Sequence, residues 1–288
     1  MMKNSVLYAL ITAILFVTLE PVSKLIANDV TPYAITFWRF FIGSFILIPP
    51  AIMKIKREKI ILKGKDIGIM ILLGILFICI SMVSLQLAVK QADTPSLIAI
   101  IFSSNSVFTI LFAILILKEK LTRNKLIALL FGIIGVLLCT DFSSGTNITS
   151  VALAIFASLT FSLYTVLSQK FTKKFGGIIQ TTVVFLTGSL VLLLALLIGG
   201  VDVTPVLTVK SFSILCYLGF FVTGIGYACY FKAIEKGGPI MGSLAFFIKP
   251  ILTPFVTWII NGITPDITTL LAVICIVFAS YFAVNKKK

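Results

Sequence analysis

The sequence predicts an all-α integral membrane protein whose ten transmembrane helices form two inverted five-helix repeats. Of its 288 residues, 59% are hydrophobic and only 12% are charged, whereas a soluble domain carries about 25% charged residues. The mean hydropathy is +1.15. The apolar residues fall in long runs that short basic segments separate, which is typical of chains that cross the bilayer several times.

Ten apolar runs are long enough to cross a membrane as helices, which takes roughly 20 residues each. They are too long and too apolar for the strands of a membrane barrel. The first run follows a short basic start and continues without a clear cleavage site, so we interpret it as a retained span and not a signal peptide. The predicted spans are 5–27, 32–53, 66–88, 94–117, 124–141, 148–169, 178–200, 211–231, 238–260 and 267–284.

The basic residues test this count and orient the chain. Of the 24 Lys and Arg residues, Lys24, Lys90 and Lys210 lie at predicted outer ends, and Arg39 and Lys249 lie within spans. The other 19 fall in the predicted inner segments. Because inner loops carry the excess of positive charge, both termini are predicted to be cytoplasmic. The high usage of Ile, Lys and Phe indicates a bacterial plasma membrane.

Several functions are disfavoured by what the sequence lacks. The net charge of +14 comes from loop clusters, not from a basic groove with interleaved aromatic residues, so no nucleic acid is expected as a partner. The chain has no histidine, no CxxC pair and no phosphate-binding GxxxxGK[ST] loop. We therefore expect no enzyme activity, no metal, no cofactor and no direct use of ATP. The expected partners are a small-molecule substrate, the lipid bilayer and a coupling ion such as a proton, with the chain a monomer or a homodimer.

The chain is predicted to contain one unit twice. Segments 93–138 and 237–279 each begin with a proline-bearing turn, continue through a long span and a short hinge, and end in an almost purely apolar span. Thr122 of the first hinge matches Thr264 of the second. Five spans per unit is an odd number, so the second unit enters the membrane from the opposite side. The two predicted repeats are residues 1–145 and 146–288.

Two segments, "TFWRFFIGSFIL" and "LILKEKLTRNKLIALLFGIIGVLL", resemble the drug/metabolite transporter superfamily, in particular its EamA-type branch. The hinge "KEKLT" is similar to the Gly-Glu-x-Leu-Thr motif of that family, with Lys118 in place of the glycine. The second hinge has Asn261 where the family usually has Glu. The segment "SSNS" at 103–106 stands where the family often has a proline, while span 9 keeps Pro250. The resemblance implies a transporter of small metabolites or drugs, often an exporter, with a central cavity that opens alternately to each side.

Lys249 is the first candidate for substrate binding because it lies near the middle of span 9. At helical spacing it shares a polar face with Thr253 and Thr257. Pro250 and Pro254 remove two backbone donors, and the freed carbonyls need protein or water around them. We interpret Lys249 as a contact for an anionic group such as a carboxylate. The alternatives are an internal ion pair and a lysine that extends to the membrane surface, which is difficult from the midplane.

Glu20 and Arg39 are the other two charges within spans. Glu20 lies one helical turn before Lys24, so a pair on one helix face is one interpretation. Arg39 enters span 2 to a similar depth, so a Glu20–Arg39 pair is a second. A cation site or a proton carrier at Glu20 is the functional interpretation. Arg39 and Lys24, with Pro250 and Pro254, are predicted to act as gating or structural residues.

Uncharged residues complete the predicted site. Polar stripes on spans 6 and 8 would either bind helices to one another or line a polar, aromatic-edged cavity. The uncharged candidates for substrate binding are Asn105, Thr253, Tyr227, Tyr230, Ser162 and Gln86.

The predicted function is secondary transport of a small polar metabolite by alternating access. An acid at Glu20 and a base at Lys249 would suit an amino acid or a related zwitterion, exported from the cell. Organic or phosphorylated anions and amine or drug-like cations are the alternative substrates. A channel and an intramembrane enzyme are the least favoured classes.

Overall fold

The computed structural model describes residues 2–118, 120–138, 147–204, 208–237 and 239–284. Every regular element in these ranges is helical. The predicted boundary between the repeats, at residues 145 and 146, lies outside the described residues, as does Glu119 of the "KEKLT" hinge. The boundary therefore stays a prediction.

The first half of the chain folds into eight α-helices and one π-helical segment. Pro32 and Pro95 occupy first-turn positions, where a missing N–H is tolerated. Thr31 caps the helix after it by accepting a hydrogen bond from Ala34 N at 3.2 Å. The elements are α1 (Met2–Val17), α2 (Leu19–Lys24), α3 (Pro32–Glu58), α4 (Gly64–Gly74), π1 (Ile75–Met82), α5 (Val83–Gln91), α6 (Pro95–Ser103), α7 (Asn105–Leu117) and α8 (Arg123–Leu138).

The second half repeats this layout with fewer breaks. Asn147 and Thr208 cap the helices that follow them through their side-chain oxygens. The Asp266 carboxylate accepts a hydrogen bond from Thr269 N at 2.8 Å in the same way. The elements are α9 (Ile148–Phe175), α10 (Gly177–Ile198), α11 (Val209–Cys216), π2 (Tyr217–Ile225), α12 (Gly226–Gly237), α13 (Pro239–Asn261) and α14 (Ile267–Val284).

The helices agree with an all-helical membrane protein. Each predicted span overlaps a helical stretch, and within the described residues seven helices are long and apolar enough to cross a membrane. The count of ten spans stays a prediction. The seven are 5–24, 32–58, 64–91, 95–117, 148–169, 177–198 and 209–233.

Two predicted spans are interrupted, which the sequence analysis did not anticipate. α1 ends at Val17 because Pro21 has no N–H to donate to the Val17 carbonyl. The Thr18 hydroxyl also donates to Leu15 O at 2.8 Å. α6 ends before Ser104, whose hydroxyl donates to Ile101 O at 2.6 Å. Such local side-chain bonds compete with the helical ladder.

The core of the bundle is built on α3 and α10. The rings of Phe40 and Phe185 meet edge to face, with centroids 4.8 Å apart. Gly188 of α10 approaches α4 so closely that an added Cβ would lie 2.8 Å from Gly74 O. Gly43 of α3 approaches π2 similarly, and an added Cβ would lie 2.7 Å from Thr223 Cγ2. Small residues at these crossings let the backbones come together, as is common between membrane helices.

Candidate functional site

A buried ion pair joins Lys249 of α13 to Glu20 of α2. Lys249 Nζ lies 2.6 Å from Glu20 Oε1, and the side chains are 3% and 0% exposed. The lysine also lies over the ring of Phe102, 5.4 Å from its centroid. Glu20 Oε2 has no hydrogen-bond partner among the described residues. Both suggested partners of Glu20, Lys24 and Arg39, are therefore wrong, because the carboxylate contacts a lysine 229 positions away.

The position of Lys249 follows from the polar stripe of α13. Lys249, Thr253 and Thr257 are buried, while Phe255 and Ile259 on the opposite face are exposed. The Thr253 hydroxyl is occupied, because it donates to the Lys249 carbonyl at 2.7 Å. Burial of this stripe turns the lysine toward the protein interior, where only a counter-charge or water can satisfy it.

The two prolines of span 9 do not end the helix. α13 continues from Pro239 to Asn261 with Pro250 and Pro254 inside it, and both proline side chains are buried. Each proline withholds one backbone hydrogen bond from the helix. The ladder of α13 is therefore weakened at the level of Lys249.

Arg39 of α3 is a second buried cation, and no carboxylate of the described residues forms an ion pair with it. The residue is 3% exposed. Its Nη2 donates only to a weak acceptor, the Met82 sulfur at 3.3 Å, and its Cζ lies 4.5 Å from the ring centroid of Phe40. Its Nε has no hydrogen-bond partner in the described parts of the chain, and no ion pair is formed there.

Arg39 and Lys249 line one small interior cavity of about 20 Å³. This volume holds about one water molecule. Apolar and aromatic side chains form most of the wall. The lining residues are Phe16, Leu19, Arg39, Met82, Leu85, Phe102, Phe161, Val222, Thr223, Tyr227, Phe246 and Lys249.

The predicted aromatic edge lies at this cavity. Tyr227 belongs to the lining, and its ring centroid is 4.9 Å from that of Phe16. Tyr230 lies behind it, with ring centroids 6.3 Å from Tyr227 and 5.9 Å from Phe246. Together these rings fill the space between α1, α12 and α13.

Asn105 and Ser162 belong to a separate polar cluster at the break between α6 and α7. The Asn105 side chain donates to Phe102 O at 2.9 Å. The Ser162 hydroxyl contacts Asn105 O at 2.8 Å, and Ser158 contacts Ser104 at 3.2 Å. These bonds hold α9 against the broken helix, so the two residues satisfy backbone groups and do not line the cavity. Gln86 is buried outside the lining, with its amide nitrogen unpaired among the described residues.

Lys24 fastens α2 to the end of α5. Its ammonium donates to Lys90 O at 3.0 Å, to Val89 O at 3.3 Å and also to Ala92 O. These carbonyls end a helix, and a cation there satisfies them and complements the helix dipole. On the predicted topology, this fastening lies on the outer side of the cavity.

Replacement of Lys24 by methionine is expected to lower the unfolding temperature, with a loss of about 1–2 kcal/mol. The apolar stem is kept, but the charged hydrogen bonds to the α5 carbonyls are lost. Thermal unfolding of the detergent-solubilised protein measures this. Lys210→Met, an exposed lysine on α11, is the matched control. An equal change in both variants would contradict the role of Lys24.

Sequence reasoning missed most of the cavity wall. Apolar residues within apolar spans carry no pattern that separates a cavity wall from ordinary packing. Phe102 directly precedes the polar "SSNS" segment, and Leu19, Leu85 and Phe161 directly precede the candidates Glu20, Gln86 and Ser162. The missed residues are Phe16, Leu19, Met82, Leu85, Phe102, Phe161 and Val222.

In the described residues, apolar helices enclose three buried charges and a small cavity, an arrangement that is typical of multi-pass membrane proteins of the transporter class. The chain belongs to the EamA-like transporter family, whose model matches it twice, over residues 3–140 and 148–285. The expected resemblance to that family is confirmed.

Similar proteins are also named as transporters. An uncharacterized transporter of Clostridium kluyveri is 32% identical, over 99% of this chain and 95% of its own length. The uncharacterized transporter YdfC of Bacillus subtilis (strain 168) is 24% identical, over 89% of this chain and 84% of its own. One solved crystal structure shares the fold with a TM-score of 0.70 at 17% identity, over 99% of this chain and 97% of its own.

The two matched ranges have equal length and begin 145 residues apart, so a gap-free superposition pairs residue 3 with 148 and residue 140 with 285. With this offset Phe16 corresponds to Phe161 and Met82 to Tyr227, and all four line the cavity. The two copies thus contribute residues from matched positions to the cavity wall.

The buried charges do not follow this symmetry. In the gap-free superposition, the three charges that are buried among the described residues stand opposite uncharged residues of the other copy. Ionisable groups within apolar helices indicate a functional site. The uncharged counterparts are Thr165 for Glu20, Val184 for Arg39 and Ser104 for Lys249.

Proposed function

We propose that this chain is a secondary active transporter that moves a small polar metabolite by alternating access through the central cavity. In this proposal ten spans form two inverted five-helix units, and both termini face the cytoplasm of a bacterial cell. The substrate class is an amino acid or a related small charged solute, and the direction is export. An ion gradient, with the proton as the first ion to test, would supply the energy.

The observation that carries the proposal is the Glu20–Lys249 ion pair beside the cavity. Replacing such a buried pair by apolar side chains is often neutral or stabilising, so the pair is a poor means of holding helices together. It does offer opposite charges to a solute that carries an ammonium and a carboxylate group. The pair also joins the two matched segments, because Glu20 lies in the first and Lys249 in the second.

The size of the cavity supports a site that opens and closes. A typical pocket for a small molecule is about 300–1,000 Å³, far more than the observed cavity of about 20 Å³. A solute can therefore enter only if helices separate. The rings of Phe16, Tyr227 and Phe246 close one side, and the Lys24 contacts fasten the other.

Contacts between the copies support the proposed inverted arrangement. Gly43 corresponds to Gly188 and Gly74 to Gly219 at the 145-residue offset. An added Cβ at Gly188 would meet Gly74, and one at Gly43 would lie 3.2 Å from Gly219 O. Each copy therefore contributes its second helix to a crossing with the third helix of the other, as a twofold relation requires.

Counterflow in proteoliposomes tests the proposal. Vesicles are loaded with an unlabelled amino acid, organic acid, amine or phosphorylated metabolite, and entry of the labelled compound is followed. We expect saturable uptake that the internal compound accelerates, as in a carrier. Lys249→Gln and Glu20→Gln should each reduce it about tenfold or more, since each removes a charged contact to the solute. Lys174→Gln is the matched control, because Lys174 pairs with Asp66 at an exposed site.

Three results would count against parts of the proposal. Flux that does not saturate and ignores the internal compound would indicate a channel. Unchanged uptake in both Glu20→Gln and Lys249→Gln would remove the ion pair from the transport site. Insensitivity of uptake to an imposed pH gradient would exclude the proton as the coupling ion.

A further inference from the structure

The cavity carries one positive charge more than it can balance. Lys249, Glu20 and Arg39 together carry one net positive charge. Lys249 Nζ lies 2.6 Å from Glu20 Oε1, whereas Arg39 forms no ion pair among the described residues and interacts with the Glu20 charge only at longer range. A guanidinium stays protonated in proteins and has five donors. In an apolar interior such a charge is unfavourable unless it is paired and hydrogen-bonded.

The contacts of Arg39 do not give it an evident structural role. The guanidinium contacts the Met82 sulfur and the Phe40 ring, and its Nε has no partner among the described residues. Val184, its counterpart in the other copy, fills the equivalent position with an apolar side chain. Both copies keep the neighbouring ring, Phe40 or Phe185. At the crossing of α3 and α10, the matched position on α10 is therefore apolar, and only the position on α3 carries a charge.

The remaining wall is suited to an apolar body. Phe16, Phe102, Phe161 and Phe246 line the cavity, and Tyr227 adds a fifth ring. Apolar walls bind the apolar part of a ligand by excluding water. They contribute little to the choice between different polar groups on the ligand, which the few polar side chains of a pocket provide. Among the described residues of this wall, Arg39 is the charged side chain without an ion pair, and its Nε has no hydrogen-bond partner.

We infer that the transported solute is a monoanion with an apolar body, and that its carboxylate binds the Arg39 guanidinium. The planar fork of arginine matches a carboxylate through two parallel hydrogen bonds. A solute with one net negative charge brings the loaded cavity to neutrality, whereas a zwitterion leaves it positive. This inference rests on the proposed carrier, and among the small charged solutes proposed above it selects a monoanion over an amino-acid zwitterion.

The test compares solutes of one skeleton in three charge states. Hydrocinnamate, phenylalanine and phenethylamine share an aryl body as anion, zwitterion and cation. Isocaproate, leucine and isoamylamine form the same series on a branched alkyl body. In counterflow we expect the anion of each series to exchange at least about tenfold faster than its zwitterion or cation. Propanoate, which keeps the carboxylate and loses the body, should exchange poorly.

Variants then assign the preference to Arg39. Arg39→Gln should reduce hydrocinnamate exchange about 30-fold or more, as expected for truncation of a buried charged contact. Arg39→Lys keeps the charge without the fork and should be intermediate. The deciding readout is the ratio of half-saturation for hydrocinnamate to that for its neutral amide, which a general loss of structure would not move. Arg57→Gln, on the exposed end of α3, should leave the ratio unchanged.

The outcomes separate this inference from the proposed function. Exchange of zwitterions or cations in preference to anions would overturn the inference and keep the carrier. An unchanged ratio in Arg39→Gln would overturn it as well. If no compound of any class exchanges, the proposed function fails first. If Arg39→Gln does not fold, thermal stabilisation of the unaltered protein decides, because hydrocinnamate must stabilise it more than the amide does.

Discussion

Lys249→Gln is expected to reduce the stability of the protein by about 3–5 kcal/mol, because it leaves a buried carboxylate without its cation. Glu20 is 0% exposed, so water cannot replace the ammonium of Lys249. Glu20→Gln leaves the lysine unpaired and should have an effect of similar size. Thermal unfolding of the detergent-solubilised protein, followed by tryptophan fluorescence or a thiol-reactive dye, measures both variants.

The double variant Glu20→Gln/Lys249→Gln is expected to be more stable than either single variant. Two neutral amides can hydrogen-bond to each other, and no charge is left in an apolar surrounding. The coupling energy from the complete cycle should therefore be at least about 3 kcal/mol, because the double variant is expected to lose less stability than either single variant. Transport should nevertheless stay lost in the double variant, since neither amide offers a charge to the solute.

An exposed ion pair provides the control cycle. Lys174 Nζ lies 2.9 Å from Asp66, and its side chain is 50% exposed. Surface pairs of this kind contribute about 0–1 kcal/mol, so Asp66→Asn and Lys174→Gln should show little coupling. Effects of Glu20→Gln and Lys249→Gln that simply add would contradict a direct interaction. Transport by the double variant at the original rate would make the pair purely structural.

The sequence could place Lys249 inside the protein but could not identify its partner. The helical period puts Lys249 on one face with Thr253 and Thr257, and this face is buried. The partner, Glu20, is 229 positions away, and local spacing favoured the neighbour Lys24. Only the packing of α2 against α13 decides between these carboxylate contacts, and a single sequence carries no signal for that packing.

Of the helix irregularities, some have a visible cause in the sequence and others do not. Pro21 was visible in the sequence and accounts for the end of α1 at Val17. The π-helical segments 75–82 and 217–225 had no such sign, since wide turns follow from packing and not from any residue type. They lie in corresponding helices of the two copies. Met82 of the first and Thr223 of the second line the cavity.

The close helix crossings were present in the sequence as two Gly-Ser pairs, at 43–44 and 188–189, with the offset of the family matches. The segments that indicated the repeat, 93–138 and 237–279, do not contain these residues. Glycine in an apolar span also fits lipid-facing positions, so the pairs became meaningful only when the crossings of α3 and α10 were known.

Gly188→Val is expected to destabilise the protein by about 3 kcal/mol, at the upper end for an overpacked core. An added Cβ at this position would lie 2.8 Å from Gly74 O and 3.0 Å from Gly74 Cα. These are backbone atoms and cannot rotate away, so α4 and α10 would have to separate. The unfolding temperature in detergent measures the loss.

Two other glycines serve as comparisons for Gly188→Val: Gly43 at the equivalent crossing, and Gly68, which has free space around it. At Gly43 the nearest atom to an added Cβ is a side-chain methyl of Thr223, at 2.7 Å, so Gly43→Val should destabilise less than Gly188→Val. Gly68 on α4 has nothing within 4 Å of an added Cβ. Gly68→Val should therefore leave stability nearly unchanged, because valine is no worse than glycine in a helix. Equal losses for Gly188→Val and Gly68→Val would mean that α4 and α10 do not cross closely, and would remove the reciprocal contacts on which the inverted arrangement rests.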